Sequence, residues 1–158
     1  MAIPRVGQGF DVHPWSDDDE RVLVLGGVRF EGQRGLRGHS DADVIAHACT
    51  DALLGATGLG DIGSFYPDTD PAHEGADSIV LLADAVAAVR AAGWSVVNLD
   101  CTVICDAPKI APHREAMQHN LSTAVGAPVS IKGKTTEGLV SLSEGIQCLA
   151  TAMVVADG

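Results

Sequence analysis

The chain has 158 residues, about the length of one domain, and a domain of this size buries enough surface to fold without disulfides or structural metals. Its 10 Lys and Arg residues and 21 Asp and Glu residues give a net charge of −11, which argues against nucleic acid and anionic membranes as partners. A hydrophobic content of 46% excludes a disordered chain, and an aromatic content of 4% argues against a base-stacking surface. A polyanionic ligand of so acidic a protein would need a bound cation beside it.

The N-terminal 13 residues contain no apolar stretch long enough for a signal peptide, and the most apolar run, 79–89, is too short to span a bilayer. We therefore expect a soluble, cytoplasmic protein. The four cysteines form no CxxC pair, which predicts reduced, mostly buried thiols at Cys49, Cys101, Cys105 and Cys148.

The N-terminal region is predicted to consist of strands and a loop. Residues 3–12 and 21–30 have strand-like composition. The Gly26-Gly27 pair predicts either a bulge or a turn within the second of these segments. Residues 31–38 are predicted to form a Gly-rich loop.

Two helices follow, separated by a long loop. The first is predicted over 41–57, with Ser40 as its cap and Asp43 at the third position, as in a capping box. The loop at 58–75, rich in Gly, Pro and Asp, is too long to lack a function in a compact domain. The second helix is predicted over 76–92, ending at a glycine.

The C-terminal region predicts a strand at 94–105, a helix at 112–125 and two strands at 129–134 and 145–155. The order β-β-α-α-β-α-β-β indicates an α/β fold, an α+β two-layer sandwich with helices on one face of a mixed sheet. A partner subunit is the simplest cover for the other face.

A candidate metal site combines residues of the first strand and the first helix. Asp11 and His13 are two apart, so they point the same way from a strand. With His47 they make one carboxylate and two imidazoles, the ligand count of a catalytic zinc site with an open fourth position. Asp43 and Asp51 lie one turn from His47, and we expect Asp51 to orient the His47 ring.

Three other polar segments are weak signals individually. The loop at 59–70 contains Asp61 and Asp68, which can accept hydrogen bonds from hydroxyl groups. Residues 107–109 end a strand. Residues 132–137 bring two lysines, two threonines and a glutamate to a strand end, a set that suits a phosphate with a metal ion.

Taken together, these motifs resemble the 2-C-methyl-D-erythritol 2,4-cyclodiphosphate synthase family of the non-mevalonate isoprenoid pathway. They occur in family order over nearly the whole chain, which predicts a single domain over 1–158. The matching motifs are GFDVH at 9–13, HSDADVIAH at 39–47, TDALLGA at 50–56, LGDIG at 59–63, YPDTDP at 66–71, APK at 107–109, TTE at 135–137 and EGI at 144–146.

The resemblance implies metal ions and catalytic groups. Asp11, His13 and His47 would bind Zn²⁺ or another divalent ion, and Glu137 would bind a second ion, Mg²⁺ or Mn²⁺. The catalytic residues would be His39 and Thr135, which would stabilise the transition state. The family is a homotrimer with active sites between subunits.

The resemblance also implies a small-molecule cytidine diphosphate substrate. Its methylerythritol portion would contact 61–63 and 66–70, its cytidine 105–111 and its diphosphate 134–137. The implied substrate-binding residues are Asp11, Val12, His13, His39, Ser40, Asp61, Ile62, Gly63, Tyr66, Pro67, Asp68, Thr69, Asp70, Cys105, Asp106, Ala107, Pro108, Lys109, Ile110, Ala111, Lys134, Thr135, Thr136 and Glu137.

The implied reaction is an intramolecular phosphoryl transfer. The 2-phosphate of 4-diphosphocytidyl-2-C-methyl-D-erythritol 2-phosphate attacks the β-phosphorus and CMP leaves, which makes the enzyme a phosphorus–oxygen lyase. The barrier lies in bringing one anion onto another and in closing a medium-sized ring, which two divalent ions and a folded substrate would ease.

One segment departs from the family. Residues 138–143 (GLVSLS) are about two residues shorter than the usual Gly-rich segment and lack its phenylalanine and arginine. The departure leaves a non-catalytic trimeric binding protein as one alternative. A second alternative is a zinc hydrolase that uses a bound water at Asp11, His13 and His47, with His39 as its base.

Overall fold

Six strands account for the β-structure of residues 3–158, the part of the chain that the computed structural model describes. In chain order they are β1 (Arg5–Pro14), β2 (Val22–Leu25), β3 (Val28–Arg34), β4 (Trp94–Ile104), β5 (Val129–Lys134) and β6 (Gly145–Ala156). Four of them form a mixed sheet in the order β1-β6-β4-β5, in which only β4 and β5 run parallel. The predicted mixed sheet is therefore confirmed.

Residues 3–158 contain five helices, of which the three long ones pack on one face of this sheet. The five are α1 (Val44–Thr57), α2 (Ile62–Phe65), α3 (Ser78–Ala91), α4 (Arg114–Val125) and α5 (Val140–Ser143), with short 3-10 turns at Pro71–His73 and Ala111–His113. The three predicted helices are α1, α3 and α4, whereas α2 and one 3-10 turn lie within the predicted loop. None of the helices among residues 3–158 is long and apolar enough to cross a membrane.

Two glycines let α1 approach β1 closely. A Cβ atom on Gly7 would lie 2.1 Å from the carbonyl oxygen of Ala52, and one on Gly9 would lie 2.0 Å from that of Ala48. Any side chain at either position would therefore push the helix away from the strand. This contact places His47, on α1, over the strand that carries Asp11 and His13.

The segment predicted as one strand and a loop is a β-hairpin. Gly26 and Gly27 have φ values of 56° and 71°, a left-handed pair that suits a tight two-residue turn between β2 and β3. The second strand continues to Arg34, so the predicted loop at 31–38 is shorter than expected. Of the two alternatives for the glycine pair, the turn is correct.

The start of α1 differs from the prediction, because Asp43 rather than Ser40 is its cap. The Asp43 carboxylate accepts hydrogen bonds from the backbone N–H groups of Ile45 and Ala46. It also accepts bonds from the N–H groups of Gly26 and Gly27. A single buried carboxylate thus joins the hairpin turn to the helix, and the Ser40 hydroxyl is not needed as a cap.

The sheet face away from the helices exposes apolar side chains. Since Gly7 and Gly9 face α1, their alternate neighbours Val6, Phe10 and Val12 point to the opposite face. These three side chains are 63%, 55% and 49% exposed. Met153, directly opposite Val6 on β6, continues the patch. We call these four residues the outer sheet patch.

All four cysteines are buried and free. The Sγ atoms of Cys49 and Cys101 lie 3.4 Å apart between α1 and β4, as neighbouring thiols. The predicted burial of the cysteines is confirmed.

Candidate metal and substrate site

Three ligand-type atoms meet where β1 passes under α1. His13 Nε2 lies 3.0 Å from Asp11 Oδ2, and His47 Nδ1 lies 3.2 Å from the same oxygen. The two ring nitrogens are 3.1 Å apart. Asp11, His13 and His47 are the residues that the sequence predicted, and among residues 3–158 they are the only cluster of three or more His, Cys, Asp and Glu residues with metal-binding geometry.

The geometry and chemistry of these atoms fit a divalent cation. Ligands at about 2.0–2.2 Å from a tetrahedral zinc ion lie roughly 3.3–3.6 Å from one another, only slightly farther apart than the three atoms seen here. His13 Nδ1 lies 2.8 Å from the carbonyl oxygen of Arg37, which can only accept, so this nitrogen carries the ring proton. The Nε2 lone pair of His13 is thereby left to face Asp11 and His47.

The electrostatics of the cluster favour a negative Asp11. Burial raises the pKa of Asp11, but the neighbouring His13 and His47 rings outweigh it and lower the pKa to about 2. Burial also opposes a charge on His13, yet the Asp11 carboxylate outweighs it and raises the pKa of His13. The cluster therefore attracts positive charge, either as protons or as a metal ion.

A cavity of about 480 Å³ opens beside these three residues. Its walls combine the candidate metal ligands with part of the loop at 59–70, and Gly38, His73 and Leu81 were not predicted. The predicted site residues that line it are Asp11, His13, His39, Ser40, His47, Ile62, Gly63, Tyr66, Pro67 and Asp68.

Several predicted residues have local structural contacts instead of lining this cavity. The carboxylates of Asp61 and Asp70 cap α2 and the 3-10 turn at Pro71–His73. The side chain of Val12 belongs to the outer sheet patch, and Thr69 does not line the cavity. Asp68 is the acidic residue of the loop that lines the cavity.

One expectation about the surroundings of the cluster is corrected. Asp51 does not orient His47, because its carboxylate accepts the backbone N–H of Ile62, at 3.2 Å. His47 Nε2 instead meets the hydroxyl oxygens of Ser40, at 3.0 Å, and Ser78, at 2.8 Å. His39 Nε2 donates to the carbonyl oxygen of Asp70, at 2.8 Å, so the lone pair of a neutral His39 ring lies on Nδ1.

A second cavity, of about 160 Å³, lies at the ends of β4 and β5. Arg114, the first residue of α4, also lines this cavity and adds a positive charge. The sequence did not predict this residue, although a cation close to the predicted binding segment 105–111 was a usable signal. The predicted residues that line this cavity are Cys105, Pro108, Lys109, Ile110, Ala111, Lys134 and Thr135.

The TTE segment is fixed beside this second cavity. The two carboxylate oxygens of Asp106 accept the backbone N–H and the hydroxyl of Thr136, at 3.0 and 2.8 Å. These bonds lower the pKa of Asp106. Thr135 Oγ1 donates to Glu137 Oε1 at 2.7 Å, and Glu137 has a left-handed φ of 53°, which is uncommon outside glycine and concentrates at functional sites. Ala107, Asp106, Thr136 and Glu137 do not line the cavity.

Comparison with known proteins identifies the family. Residues 4–155 match the YgbB family. The chain belongs to the YgbB family. A curated member from Aromatoleum aromaticum, a 2-C-methyl-D-erythritol 2,4-cyclodiphosphate synthase, is 57% identical over 100% of this chain and 98% of its own length. One of the same name from Bordetella petrii is also 57% identical, over 98% of each chain.

Solved structures of YgbB-type proteins share this fold. A 2C-methyl-D-erythritol-2,4-cyclodiphosphate synthase in its CDP-bound form has a TM-score of 0.85 and 38% identity, covering 95% of this chain and 99% of that one. The bifunctional IspDF from Campylobacter jejuni has a TM-score of 0.91 and 38% identity, covering 99% of this chain and 43% of that longer one. The predicted family and α/β fold are confirmed.

Within a single YgbB-family chain, the predicted site residues divide into two groups. The cavity at the Asp11, His13 and His47 cluster and the cavity at β4 and β5 have no lining residue in common. The predicted residues of this chain therefore line two separate cavities. We call those at the first cavity the metal-side group and those at the second the cytidine-side group, after the roles that the family resemblance implies.

Proposed function

We propose that this chain is a metal-dependent 2-C-methyl-D-erythritol 2,4-cyclodiphosphate synthase. It would convert 4-diphosphocytidyl-2-C-methyl-D-erythritol 2-phosphate to the cyclodiphosphate and CMP, in isoprenoid precursor biosynthesis. The observation that carries the proposal is the meeting of Asp11, His13 and His47 at one end of a cavity, in a chain 57% identical to synthases of this name. As a phosphorus–oxygen lyase, the enzyme would use no water as a reactant.

The residues that would hold the metal ions are those of the two polar clusters. Asp11, His13 and His47 would bind Zn²⁺, since one carboxylate and two imidazoles suit that ion. Glu137 would bind Mg²⁺ or Mn²⁺ at the diphosphate. The chemistry that these ions supply when bound is neutralisation of the charge on the diphosphate.

The protein's own task would be mostly to position the substrate. A phosphate monoester has its second pKa near ~6, so the attacking 2-phosphate needs no general base at neutral pH. His39, whose Nε2 is fixed by the Asp70 carbonyl oxygen, would therefore contribute to stabilising the transition state and would not be needed as a base. Asp68 would accept hydrogen bonds from the hydroxyl groups of the methylerythritol. The positive charges of Lys109, Lys134 and Arg114 would offset the negative charge of the phosphates. Good positioning lowers such barriers by as much as ~7–11 kcal/mol.

A homotrimer would unite the two groups of site residues. The separate cavities need a neighbouring copy to form one site, and the outer sheet patch gives that copy an apolar surface to bury. The cytidine-side group of one copy would then face the metal-side group of the next. The cytoplasmic location stays a prediction.

The direct test supplies the purified chain, loaded with zinc and magnesium, with the cytidylyl substrate. We expect CMP and the cyclic diphosphate in equal amounts, measured by chromatography and phosphorus NMR. Absence of CMP release from a folded, metal-loaded protein would contradict the proposal and support a binding protein instead. Turnover of simple phosphodiesters without the cyclic product would support a zinc hydrolase.

A further inference from the structure

A buried chain of hydrogen bonds runs from His47 to the start of α3. His47 Nε2 lies 2.8 Å from Ser78 Oγ, and the Ser78 hydroxyl in turn donates to Asp41 Oδ1. Asp41 Oδ2 also accepts the backbone N–H of Ser78, at 3.1 Å. The Ser78 side chain is completely buried, so water does not compete for these bonds.

The direction of each proton in this chain follows from what each group can donate. An ionised Asp41 carboxylate only accepts, so the single hydroxyl proton of Ser78 is committed to it. Ser78 Oγ must then accept from His47 Nε2, and Nε2 must carry the ring proton. The Ser40 hydroxyl, 3.3 Å from Ser78 Oγ, can donate to the remaining lone pair.

This tautomer leaves the lone pair of His47 Nδ1 pointing at Asp11 and His13. The other ligand histidine is fixed the same way, since its Nδ1 donates to the Arg37 carbonyl oxygen. The three atoms that meet are therefore all acceptors when both rings are neutral. Three acceptor atoms this close repel one another unless a cation lies between them. Hydrogen-bond partners such as Ser78 and the Arg37 carbonyl oxygen orient metal-binding histidines.

We propose that Ser78 and Asp41 are positioning residues for the metal site, and that they act by holding His47 in the tautomer with Nε2 protonated. The inference rests on the proposed metal site, but it concerns the state of His47 before any metal is bound. Asp41 fixes the direction in which the Ser78 hydroxyl donates, and Ser78 in turn fixes the proton on His47 Nε2. Loss of such partners lowers metal affinity by about 10–100-fold.

The two variants lead to different results. In Ser78→Ala, the Ser40 hydroxyl remains 3.0 Å from Nε2 and can either accept or donate, so we expect a mixture of the two His47 tautomers. In Asp41→Ala, the Ser78 hydroxyl is free to donate to Nε2, so we expect the proton to move to Nδ1, where it blocks metal binding. A purely structural role for Asp41 gives no reason for this reversal.

The test is nitrogen-15 NMR of the imidazole groups in the metal-free protein at mildly alkaline pH, combined with zinc affinity from chelator competition. We expect protonated Nε2 at His47 in the wild type, zinc affinity about 10–100-fold lower in Asp41→Ala, and a smaller loss in Ser78→Ala, where part of the population keeps the binding tautomer. Asp77→Ala is the matched control, because Asp77 caps the same helix through Ile79 and touches no ligand. It should lower the melting temperature without changing either readout.

The wild-type spectrum alone can overturn the proposal, even if both variants fail to fold. Protonated Nδ1 at His47 in the metal-free wild type would contradict it. Unchanged tautomer and zinc affinity in folded Ser78→Ala would do the same. An inactive wild type that still shows the predicted tautomer and binds zinc would instead contradict the proposed function and leave this inference standing.

Discussion

His47 is the side chain on which the metal site depends most. It is the only ligand from α1, and its Nδ1 closes a triangle of acceptors with Asp11 and His13. We predict that His47→Ala lowers zinc affinity by more than about 100-fold, beyond the loss expected for an outer partner, and abolishes CMP release. Zinc content by mass spectrometry and an activity assay measure both effects.

The matched control for that variant is His119→Ala, which removes an exposed histidine of α4. It should bind zinc and release CMP as the wild type does. Full zinc content in folded His47→Ala would show that the ion binds elsewhere.

Residue spacing predicted the three ligands but not their partners. Asp11 and His13 follow from strand alternation, and the ligand count of a catalytic zinc site added His47 from the predicted helix. The prediction that Asp51 orients His47 was wrong because spacing on one helix does not show which side chains other elements place beside His47. Ser78 arrives from α3, 31 residues beyond His47, and nothing local in the sequence links the two.

At the scale of elements, the metal site depends on the close contact between β1 and α1. We predict that Gly9→Ala destabilises the fold by about 3 kcal/mol or more, because its Cβ would lie 2.0 Å from the Ala48 carbonyl oxygen. The displaced helix would also carry His47 away from Asp11, so zinc affinity should fall as well. Urea unfolding and chelator competition measure the two effects.

Gly55→Ala is the control from the same contact. The nearest atom to its added Cβ, the Gln8 carbonyl oxygen, is 4.0 Å away. This change should stabilise the protein by about 0.5–1 kcal/mol, since alanine favours a helix. Equal losses in the two variants would mean that the strand and helix are not held as tightly as the structure indicates.

Most elements could be predicted from periodicity, and the differences have physical causes. The strands that became β4, β5 and β6 and the three long helices agree with their predicted segments to within a few residues. The hairpin at Gly26-Gly27 was ambiguous because a glycine pair suits both a bulge and a turn. The cap of α1 was misplaced because Asp43 also binds the hairpin, a contact that sequence distance conceals.

At the scale of the whole molecule, the outer sheet patch is expected to hold the copies together. We predict that Phe10→Asp, which places a charge in the middle of the patch, converts a trimer to monomers in sedimentation analysis. Val80→Asp is the control, because Val80 is equally exposed, at 54%, but lies on α3. A trimer that survives Phe10→Asp and dissociates with Val80→Asp would place the interface on the helical side.

A shared active site predicts complementation between two inactive chains. His47→Ala damages the metal-side group and Pro108→Asp the cytidine-side group. In an equal mixture of the two chains, about one quarter of the sites pair two intact groups, so about one quarter of wild-type activity should return. No recovery after proven subunit exchange would place the whole site within one chain. The sequence alone could name both groups but could not show that they are separate in one chain.

In the proposed reaction the substrate's own phosphate, not water, attacks the β-phosphorus. Running the reaction in water enriched in oxygen-18 and weighing the products by mass spectrometry tests this directly. We predict unlabelled CMP and an unlabelled cyclic diphosphate in equal amounts. Oxygen-18 in CMP, or in a linear methylerythritol bisphosphate, would show that water is the nucleophile and would contradict the account.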